Sequence, residues 1–371
     1  MRAAVERSHL LKSLSHLSRV VERRNTIPIL ANVLVRAEGG HLTLKATDLD
    51  LEVTETIPAM VSREGATTVP AHILHDIVRK LADGAEVALD TGEGSQLALT
   101  SGRSRFALQI LPESDFPDLT ADELPISFRM SAADLRKLID RTQFAISTEE
   151  TRYYLNGIYL HIISSDDKTW LRAVATDGHR LAQTQIDAPE GAAGMAGVIV
   201  PRKAVGEIQK LVDSPDEEVL VEVSDAKIRI SIGDVVLTSK LIDGTFPEYE
   251  RVIPRNNDKI MKVERASFAE SVDRVSTVAS ERGRAVKMGL NDGKMVLSVN
   301  NPDSGSAEEE VAVDYGSDPI EIGFNSRYLL DVASQLETDM AEFRFSDPGS
   351  PTLIVDDGAD DALYVLMPMR V

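Results

Sequence analysis

One succession of sequence patterns occurs three times along this chain of 371 residues. Each copy starts with a strand-like segment that leads into apolar residues at helical spacing, and these starts are Val5-Glu-Arg-Ser8, Phe128-Arg-Met-Ser131 and Val263-Glu-Arg-Ala-Ser267. In the first copy we expect Ser8 to be the N-cap of the helix. Because the starts lie one small domain apart, the repeat predicts three whole domains and not the short units of a solenoid.

Two more elements recur inside each copy. A strand-like segment ends in Thr-Asp or Asn-Asn, at Thr47-Asp48, Thr176-Asp177 and Asn300-Asn301. A second helix start follows, with proline expected in the first helical turn of two copies, at residues 69–74, 200–205 and 323–330. Each third therefore reads as strand, helix, strands, helix and strands, which predicts an α+β fold with two helices per domain. Polar, proline-marked stretches separate the predicted domains, which are residues 1–123, 124–255 and 256–371.

Composition limits the possible classes of function. The net charge of −20 argues against a freely exposed basic surface, so contact with nucleic acid would require the 40 Lys and Arg residues to be sorted onto one face. The absence of cysteine excludes disulfides, thiolate nucleophiles and cysteine-ligated zinc. No apolar run approaches the ~20 residues of a membrane helix, and the N-terminus lacks the apolar core of a secretory signal, so we expect a cytoplasmic protein.

A hairpin-like stretch from Ala173 to Ala182 concentrates reactive side chains near the centre of the chain. Its Asp177-Gly178 dipeptide readily takes the positive φ angles of a tight turn, and apolar arms flank it. Asp177 and His179, together with a serine, could serve a hydrolase or transferase, although the sequence contains neither a nucleophile elbow nor a phosphate-binding loop. The alternative is that the hairpin forms one wall of a binding site.

Motifs spread over all three copies resemble those of the bacterial DNA polymerase III β subunit family, the sliding clamps. They are Arg152-Tyr-Tyr-Leu-Asn-Gly157, Ala175-Thr-Asp-Gly-His-Arg-Leu181, Ile199-Val-Pro-Arg-Lys203, Thr238-Ser-Lys-Leu, Gly323-Phe-Asn325 and Met367-Pro-Met-Arg-Val371. The resemblance implies three repeated DNA-clamp domains per chain and a head-to-tail homodimeric ring, with helices lining the inner channel and sheets outside. It also implies a non-catalytic protein that encircles duplex DNA and tethers polymerase.

Simple geometry agrees with the implied ring. Twelve helices of about 10 Å each would enclose an opening of roughly 28 Å, which admits duplex DNA with room for water. Attraction to phosphates would then be independent of sequence, and base readout is not expected. Since the chain has no phosphate-binding loop, a separate ATP-driven loader must open the ring.

The resemblance also implies the partners. These are double-stranded DNA, a second copy of the chain, the polymerase III catalytic subunit, the clamp loader, translesion polymerases, and mismatch-repair and ligase-type clients. No cofactor, no metal and no membrane is implied. His72, His75 and Asp76 imitate a helical metal-binding pair, but a third strong ligand is not evident.

DNA contacts are implied at Arg24, His72, Glu149, Tyr153, Tyr154 and Arg202. Two of these positions depart from the family pattern, because His72 replaces a basic residue and Thr148-Glu149 replaces a His-Gln pair. Direct contacts with DNA are therefore expected to be fewer or rearranged. An acidic scaffold that binds peptides but not DNA stays an alternative.

A pocket between the middle and last domains is implied to bind short peptides with apolar anchors. Methionines would give it an adaptable floor, and arginines could hold a carboxylate or a peptide carbonyl at its rim. The implied pocket residues are Leu155, Thr176, Gly178, His179, Arg180, Leu181, Pro247, Arg251, Val252, Asn325, Tyr328, Val365, Leu366, Met367, Pro368, Met369 and Arg370.

The dimer contact is expected between the first domain of one chain and the last domain of the other. Opposite charges at these two ends favour head-to-tail closure. The first domain offers Arg103, Arg105 and Phe106 on its last strand edge; the last domain offers Thr277 and Val278 on a helix, with Glu308, Glu309 and Glu310 on a nearby strand.

Overall fold

The structure is a computed structural model that describes residues 1–23, 26–92, 94–119, 123–165, 168–280 and 283–370. These residues contain six α-helices, two in each third of the chain. The helices are α1 (Arg7–Val20), α2 (Ala71–Lys80), α3 (Ala132–Asp140), α4 (Arg202–Leu211), α5 (Arg265–Ser276) and α6 (Ser326–Ala333). Short 3₁₀ turns lie at Pro28–Ala31, Glu113–Asp115, Gln143–Ala145, Glu150–Leu155, Ala192–Gly194 and Tyr249–Val252.

The strands follow the same order in each third, except that the first third has one more strand between its two helices. The first third contains β1 (Arg2–Glu6), β2 (Asn32–Glu38), β3 (His41–Thr47), β4 (Leu51–Pro58), β5 (Met60–Arg63), β6 (Gly65–Pro70), β7 (Glu86–Asp90), β8 (Gln96–Ser101) and β9 (Ser104–Gln109). The second contains β10 (Ile126–Ser131), β11 (Gly157–Ser165), β12 (Lys168–Thr176), β13 (Arg180–Asp187), β14 (Val198–Pro201), β15 (Glu218–Val223), β16 (Lys227–Ile232) and β17 (Val235–Lys240). The third contains β18 (Lys259–Glu264), β19 (Ala285–Asn291), β20 (Lys294–Asn301), β21 (Gly305–Ala312), β22 (Ile320–Asn325), β23 (Met340–Phe345), β24 (Thr352–Asp356) and β25 (Ala362–Leu366). The predicted α+β repeat of strand, helix, strands, helix and strands is confirmed.

The chain folds into two compact units that do not follow the thirds. The first unit lies within residues 1–135, 189–195 and 206–241, and the second within residues 136–188, 196–205 and 242–371. The first unit holds a five-stranded sheet in the order β5-β1-β7-β8-β9 and an eight-stranded sheet in the order β10-β15-β16-β17-β4-β3-β2-β6. The second holds an eight-stranded sheet in the order β14-β11-β12-β13-β25-β24-β23-β18 and a four-stranded sheet in the order β21-β20-β19-β22.

Helices α1 and α5 bury apolar stripes against strands of their own unit. In α1, Leu10, Leu14 and Leu17 are buried at spacings of three and four residues, which places them on one face. This face packs on α2, β3 and β4. In the second unit, α5 buries Phe268 and Val272 and packs on α6, β20 and β21. Because the helices occupy one face of these strands, the opposite face is left for other contacts.

The helix starts differ from the prediction in the first copy. α1 begins at Arg7 with Glu6 as its N-cap, and the Ser8 hydroxyl lies inside the first turn, where it donates to the Glu6 carboxylate at 2.8 Å. Ser8 is therefore not the N-cap, because β1 continues to Glu6. In the second copy, the Ser131 hydroxyl caps α3 by accepting a hydrogen bond from the Asp134 amide at 3.0 Å, and it donates to the Asp134 carboxylate at 2.8 Å.

The two prolines also lie one position earlier than predicted. Pro70 is the N-cap of α2, and Pro201 directly precedes α4, so neither is in the first helical turn. Both are the last residues of edge strands, β6 and β14. A missing N–H is tolerated at a sheet edge because a central strand would need it for a ladder hydrogen bond.

The six helices are short. Within the described ranges, none is long and apolar enough to cross a bilayer.

Candidate functional site

The central hairpin joins β12 to β13 through a side-chain-braced loop. The Thr176 hydroxyl donates to the Arg180 carbonyl at 2.7 Å and accepts from the Gly178 amide at 3.1 Å. Asp177 Oδ1 accepts from the amides of His179 at 2.9 Å and Arg180 at 3.0 Å. These bonds close a loop of Asp177, Gly178 and His179, so the hairpin is wider than the tight two-residue turn that the Asp-Gly pair predicts.

Glycine is required at only one position of this loop. Gly178 has φ of 88°, in the left-handed region, whereas Asp177 has no positive φ. A Cβ at Gly178 would also lie 2.5 Å from Nη1 of Arg152. Both the backbone angle and the close guanidinium therefore select glycine here.

Arg180 is held inside the structure and not at an open rim. Its Nε donates to Asp177 Oδ2 at 3.1 Å, its Nη1 to Asp331 Oδ2 at 2.5 Å and its Nη2 to the Phe144 carbonyl at 2.6 Å. Its guanidinium carbon lies 4.2 Å from the centre of the Tyr328 ring. The side chain is only 11% exposed. The expectation that arginines of the pocket hold a ligand at the rim is therefore wrong for Arg180, whose donors are used internally.

These contacts also decide the enzymatic alternative for the hairpin. A general base needs a histidine that is oriented by a hydrogen-bonded carboxylate. The Asp177 carboxylate instead braces the loop backbone and pairs with Arg180, while His179 is exposed. The Asp-His-Arg cluster is thus a structural brace, which removes the motivation for a catalytic site.

An apolar cluster forms the floor beside the hairpin. Leu181 pairs with Val365 across β13 and β25, and Val365 pairs with Leu353 across β24 and β25. These side chains share one face of the sheet and are buried together with Leu155, Val174, Ile199, Phe246 and Tyr249. The structure therefore brings together the predicted pocket residues Leu155, Leu181 and Val365, and adds residues that the sequence did not single out.

Leu366 lies on the opposite face of β25 from Val365, because successive side chains of a strand point to opposite faces. It shares that face with Arg180, so its place in the pocket stays a prediction. Leu366 is only 1% exposed and pairs in register with Arg180. It contributes backbone and core packing on the other face of the sheet.

The last residues of the chain run beside this floor. The Met367 amide donates to the His179 carbonyl at 2.9 Å, and the Met369 amide donates to the Gly323 carbonyl at 2.8 Å. Met367 is 40% exposed, and Met369 is half-buried. Pro368 is also half-buried and Arg370 is exposed. The tail thus links the hairpin to β22 and places the flexible side chain of Met367 two residues after Val365 of the apolar floor.

The N-terminus of α6 lies on the same side as the tail. Asn325 is the N-cap of α6, and its Oδ1 accepts from the Arg327 amide at 3.0 Å. Tyr328 is in the first turn of the helix, with its ring under the Arg180 guanidinium. Burial raises the pKa of the Tyr328 hydroxyl, with a further contribution from Asp177.

The 3₁₀ turn Tyr249–Val252 forms another part of the predicted rim. Val252 is 51% exposed. Arg251 is exposed and paired with Glu248, and Pro247 precedes the turn on the surface. Exposed Val252 and Pro247 next to a buried apolar cluster give an open apolar rim.

Tyr249 anchors that turn to the sheet. Arg172 Nη1 donates to Tyr249 Oη at 3.0 Å, and His161 Nε2 lies 3.0 Å from the same oxygen. Arg172 can only donate, so the hydroxyl accepts from it and can donate to Nε2; we assign this direction, with a neutral His161 as the acceptor. Burial and, next, the Arg172 charge lower the pKa of His161, and burial raises the pKa of Tyr249.

The sequence reasoning missed this anchor. His161 and Arg172 belong to no motif, and they meet because they pair in register across β11 and β12. A strand-pairing argument on the Trp170–Thr176 segment is the signal that could have found them.

The implied DNA contacts of the second unit fall close together. The Arg202 amide donates to the Asn156 carbonyl at 2.9 Å, which places the start of α4 beside the turn Glu150–Leu155. Tyr153 is 53% exposed and Tyr154 is half-buried, with ring centres 5.8 Å apart. Tyr153 and Arg202 therefore present an aromatic ring and a cation on one part of the surface.

Two other implied DNA contacts are engaged within the protein. Glu149 pairs with Arg152 through contacts of 2.6 and 2.8 Å, and this hydrogen bond lowers the pKa of the Glu149 carboxyl. In the first unit, His72 Nε2 donates to the Val21 carbonyl at 2.9 Å. Arg24, the remaining implied contact, lies outside the described residues. A phosphate oxygen needs a hydrogen-bond donor. The Glu149 carboxylate only accepts, and the Nε2 donor of His72 is already used by the Val21 carbonyl.

The implied dimer surfaces are at sheet edges. In the first unit, β9 is an edge strand on which Arg105 and Phe106 are exposed, and Arg103 is exposed just before it. Phe106 is 36% exposed, so it is not a core residue of the single chain. An unpaired edge with an exposed aromatic ring is a surface that favours strand addition.

The last third supplies the other implied dimer surface, with two corrections. β21 is the edge of the four-stranded sheet and carries exposed Glu308 and Glu310. Glu309 is not free, because Arg274 pairs with it at 2.7 and 3.1 Å. Thr277 is the C-cap of α5 and Val278 follows it, so neither lies on the helix itself.

The histidine pair of α2 does not assemble a metal site. His72 is bonded to the Val21 carbonyl, and His75 lies 3.3 Å from the Ser15 hydroxyl. Across the part of the chain that the structure describes, no group of three or more His, Asp or Glu side chains is placed to hold a metal ion.

Family models match the chain in order along nearly its whole length. The N-terminal domain of the DNA polymerase III beta subunit matches residues 1–120, the central domain matches residues 129–248 and the C-terminal domain matches residues 250–370.

Known proteins resemble the chain over its full length. The beta sliding clamp of Caulobacter vibrioides strain NA1000 is 52% identical over 372 residues, covering 100% of both chains. A crystal structure of a DnaN sliding clamp (DNA polymerase III subunit beta) from Bartonella birtlesii bound to griselimycin is 57% identical with a TM-score of 0.97, covering 100% of both chains. A crystal structure of the C. crescentus beta sliding clamp with bound PEG is 52% identical with a TM-score of 0.98, covering 100% of this chain and 99% of that one.

Proposed function

Because the chain belongs to the DNA polymerase III beta subunit family, we propose how it acts: it is a DNA sliding clamp, a processivity factor that encircles duplex DNA and tethers replicative polymerase. It is a non-catalytic subunit and not an enzyme. The observation that carries this conclusion is the match of all three clamp-domain models in chain order. The mechanism is topological, since a closed ring cannot leave DNA sideways.

The ring is proposed to consist of two chains joined head to tail, each with domains at residues 1–123, 124–255 and 256–371. The exposed edges of β9 and β21 support this arrangement, because each lacks a strand partner within its sheet on one side. Arg103 and Arg105 at the first edge are complementary in charge to Glu308 at the second. Phe106 would be covered in the dimer by the segment that contains Thr277 and Val278.

DNA is proposed to pass through the ring without base-specific contacts. Tyr153, Tyr154 and Arg202 are the contacts that the geometry favours, since Arg202 begins a helix next to the exposed Tyr153 ring. His72 and Glu149 are assigned no direct phosphate contact, because both are engaged within the protein. The net charge of −20 keeps such attraction local and weak, which suits sliding.

The tail, the hairpin and the turn Tyr249–Val252 are proposed to form a peptide pocket for clients. Its floor is the Leu155, Leu181 and Val365 cluster, and its adaptable side is Met367 and Met369. An apolar floor beside flexible methionines suits short peptides with apolar anchors. The proposed clients are the polymerase III catalytic subunit, the clamp loader, translesion polymerases, and mismatch-repair and ligase-type proteins, in the cytoplasm where bacterial DNA is replicated.

Retention on circular DNA tests the clamp function. The chain is loaded by a clamp loader and ATP onto nicked circular DNA, and the complex is separated from free protein by gel filtration. We expect retention on the circle and rapid release when a restriction enzyme linearises it. Equal retention on circular and linear DNA, or none on either, would contradict a topological clamp.

Griselimycin provides a probe for the pocket that does not depend on DNA. The Bartonella birtlesii clamp was crystallised with this compound, and we propose that it occupies the pocket of this chain. Calorimetric titration should give one site per chain, and a variant that lacks Met367 to Val371 should lose it. Unchanged binding by that variant would place the compound elsewhere.

A further inference from the structure

We propose that Arg180 and Asp331 are positioning residues of the client pocket. Their ion pair would fix the Tyr328 ring and the Asp177–Arg180 loop as one preformed wall, ready before a peptide arrives. This inference deepens the proposed function and rests on it, because Tyr328 is one of the residues that the sequence resemblance implies for that pocket. Neither charged group would itself bind the peptide.

The guanidinium of Arg180 joins three separate segments. It bonds Asp177 of the hairpin at 3.1 Å, Asp331 of α6 at 2.5 Å and the Phe144 carbonyl of the turn Gln143–Ala145 at 2.6 Å. A planar guanidinium with donors on three sides can hold such a junction in one geometry, which a lysine cannot. With its side chain 11% exposed, Arg180 has little surface left for a ligand.

The position of Asp331 explains why this junction controls Tyr328. The two residues are three apart on α6, so their side chains lie on the same face of the helix. A guanidinium that bonds Asp331 is therefore brought over the Tyr328 ring, and the observed separation of 4.2 Å is that of a cation–π contact. The ring therefore lies under Arg180, and Asp331 of the same helix holds Arg180 in that place.

Loss of the Asp331 charge should loosen one side of the junction only. Arg180 still bonds Asp177 within the hairpin and the Phe144 carbonyl of the neighbouring turn. The loop itself therefore stays formed. The Tyr328 ring, in contrast, would no longer have the cation locked above it. A peptide would then have to order the ring when it binds, and that cost lowers affinity.

The test uses the full chain with the substitution Asp331→Asn, which keeps the side-chain shape. Griselimycin affinity is measured by calorimetry, and we expect it to fall about tenfold, a modest ordering cost for a few side-chain torsions. The matched control is Glu337→Gln, because Glu337 forms a similar ion pair with buried Arg141 at 2.5 Å in the same unit. That control should bind as the unaltered chain does.

A double-mutant cycle separates positioning from a general loss of structure. If Asp331 acts through Tyr328, then Asp331→Asn should have no further effect on affinity in a Tyr328→Ala background. A substitution that merely weakens the fold would reduce affinity equally in both backgrounds. The variant Asp331→Glu keeps the negative charge. If it binds griselimycin as tightly as the unaltered chain does, the role of the charge is supported.

The outcomes distinguish this inference from the pocket on which it rests. If the unaltered chain does not bind griselimycin, the assigned pocket is wrong and the inference falls with it. If the unaltered chain binds, but Asp331→Asn matches Glu337→Gln or is additive with Tyr328→Ala, only the positioning role is overturned.

Discussion

The Met367 amide donates a hydrogen bond of 2.9 Å to the His179 carbonyl, directly after the last pair of the ladder between β13 and β25. In the other unit, the Lys240 amide donates a bond of 2.8 Å to the Asp50 carbonyl at the equivalent place between β4 and β17. The repeat has thus preserved the backbone of the junction. The side chains, and not the backbone, must therefore account for a pocket at one of the two junctions.

The paired side chains next to these bonds differ in character. In the client pocket, Leu181 is paired with Val365, and both are buried in an apolar cluster. At the equivalent place, Glu52 is paired with Thr238. Glu52 is 1% exposed and accepts from the Leu119 amide at 3.1 Å, and burial raises its pKa. A buried carboxyl cannot serve as the floor for apolar anchors, so only one of the two copies is suited to peptides.

Deletion of Met367 to Val371 is expected to abolish binding of a polymerase-derived peptide and leave the dimer intact. The deletion removes the amide that bonds His179 and the methionines beside the floor, but no residue of β9 or β21. Fluorescence anisotropy of a labelled peptide and sedimentation velocity are the two measurements. Unchanged peptide affinity would refute the role of the tail.

Phe106→Ala combined with Val278→Glu is expected to give a monomer. The first change removes a ring that is 36% exposed on an edge strand, and the second puts a charge on the opposing surface. Sedimentation at low micromolar concentration is the measurement. Met60→Ala serves as the control, because Met60 is 65% exposed on β5, the other edge of the same sheet. An intact dimer in the double variant would rule out this interface.

Arg202→Gln is expected to weaken the attraction to DNA without changing peptide binding. If Arg202 meets one phosphate, the slope of log affinity against log salt should fall in magnitude by about one. Glu149→Gln should act in the opposite direction, because it removes a negative charge and releases Arg152. Binding to duplex DNA is measured across a salt series for the unaltered chain and both variants. Identical slopes in all three would show that Arg202 does not contact DNA.

Patterns of spacing predicted the repeat and the helices, because burial imposes periods that a sequence displays directly. Alternation within a strand is just as regular, and it places the side chains of Val365 and Leu366 on opposite faces, but the structure is needed to show what covers each face. Arg180 poses a harder problem. Asp177 is only three residues away, but its other partners Asp331 and Phe144 are distant in sequence, so nothing local indicates that they use its donors.

Ser131→Ala is expected to lower the free energy of unfolding by about 1 kcal/mol, because the hydroxyl caps α3. Ser8→Ala is the matched control in the same unit. Among the residues that the structure describes, its hydroxyl bonds the Glu6 side chain and does not cap the helix, so its loss should cost less than about 0.5 kcal/mol. Urea unfolding followed by circular dichroism compares the two. Equal losses of unfolding free energy in the two variants would show that the Ser131 hydroxyl stabilises the chain no more than the Ser8 hydroxyl does.

His161 is expected to make the second unit lose stability as the pH falls. Its pKa in the folded chain is below the ordinary value of 6.5, owing to burial and then to Arg172. Below that value the unfolded chain binds a proton that the folded chain resists, so the stabilisation is complete above pH 6.5 and decreases as the pH falls through it. Protonation also removes the Nε2 acceptor that Tyr249 uses, while Glu250, whose charge raises the His161 pKa, offsets part of the effect.

Urea unfolding between about pH 8 and pH 5 should therefore show a smaller loss of stability in His161→Gln than in the unaltered chain. His9→Gln, which removes an exposed histidine of the other unit, controls for the loss of one imidazole. The same loss of stability in His161→Gln and the unaltered chain would contradict a neutral, acceptor His161.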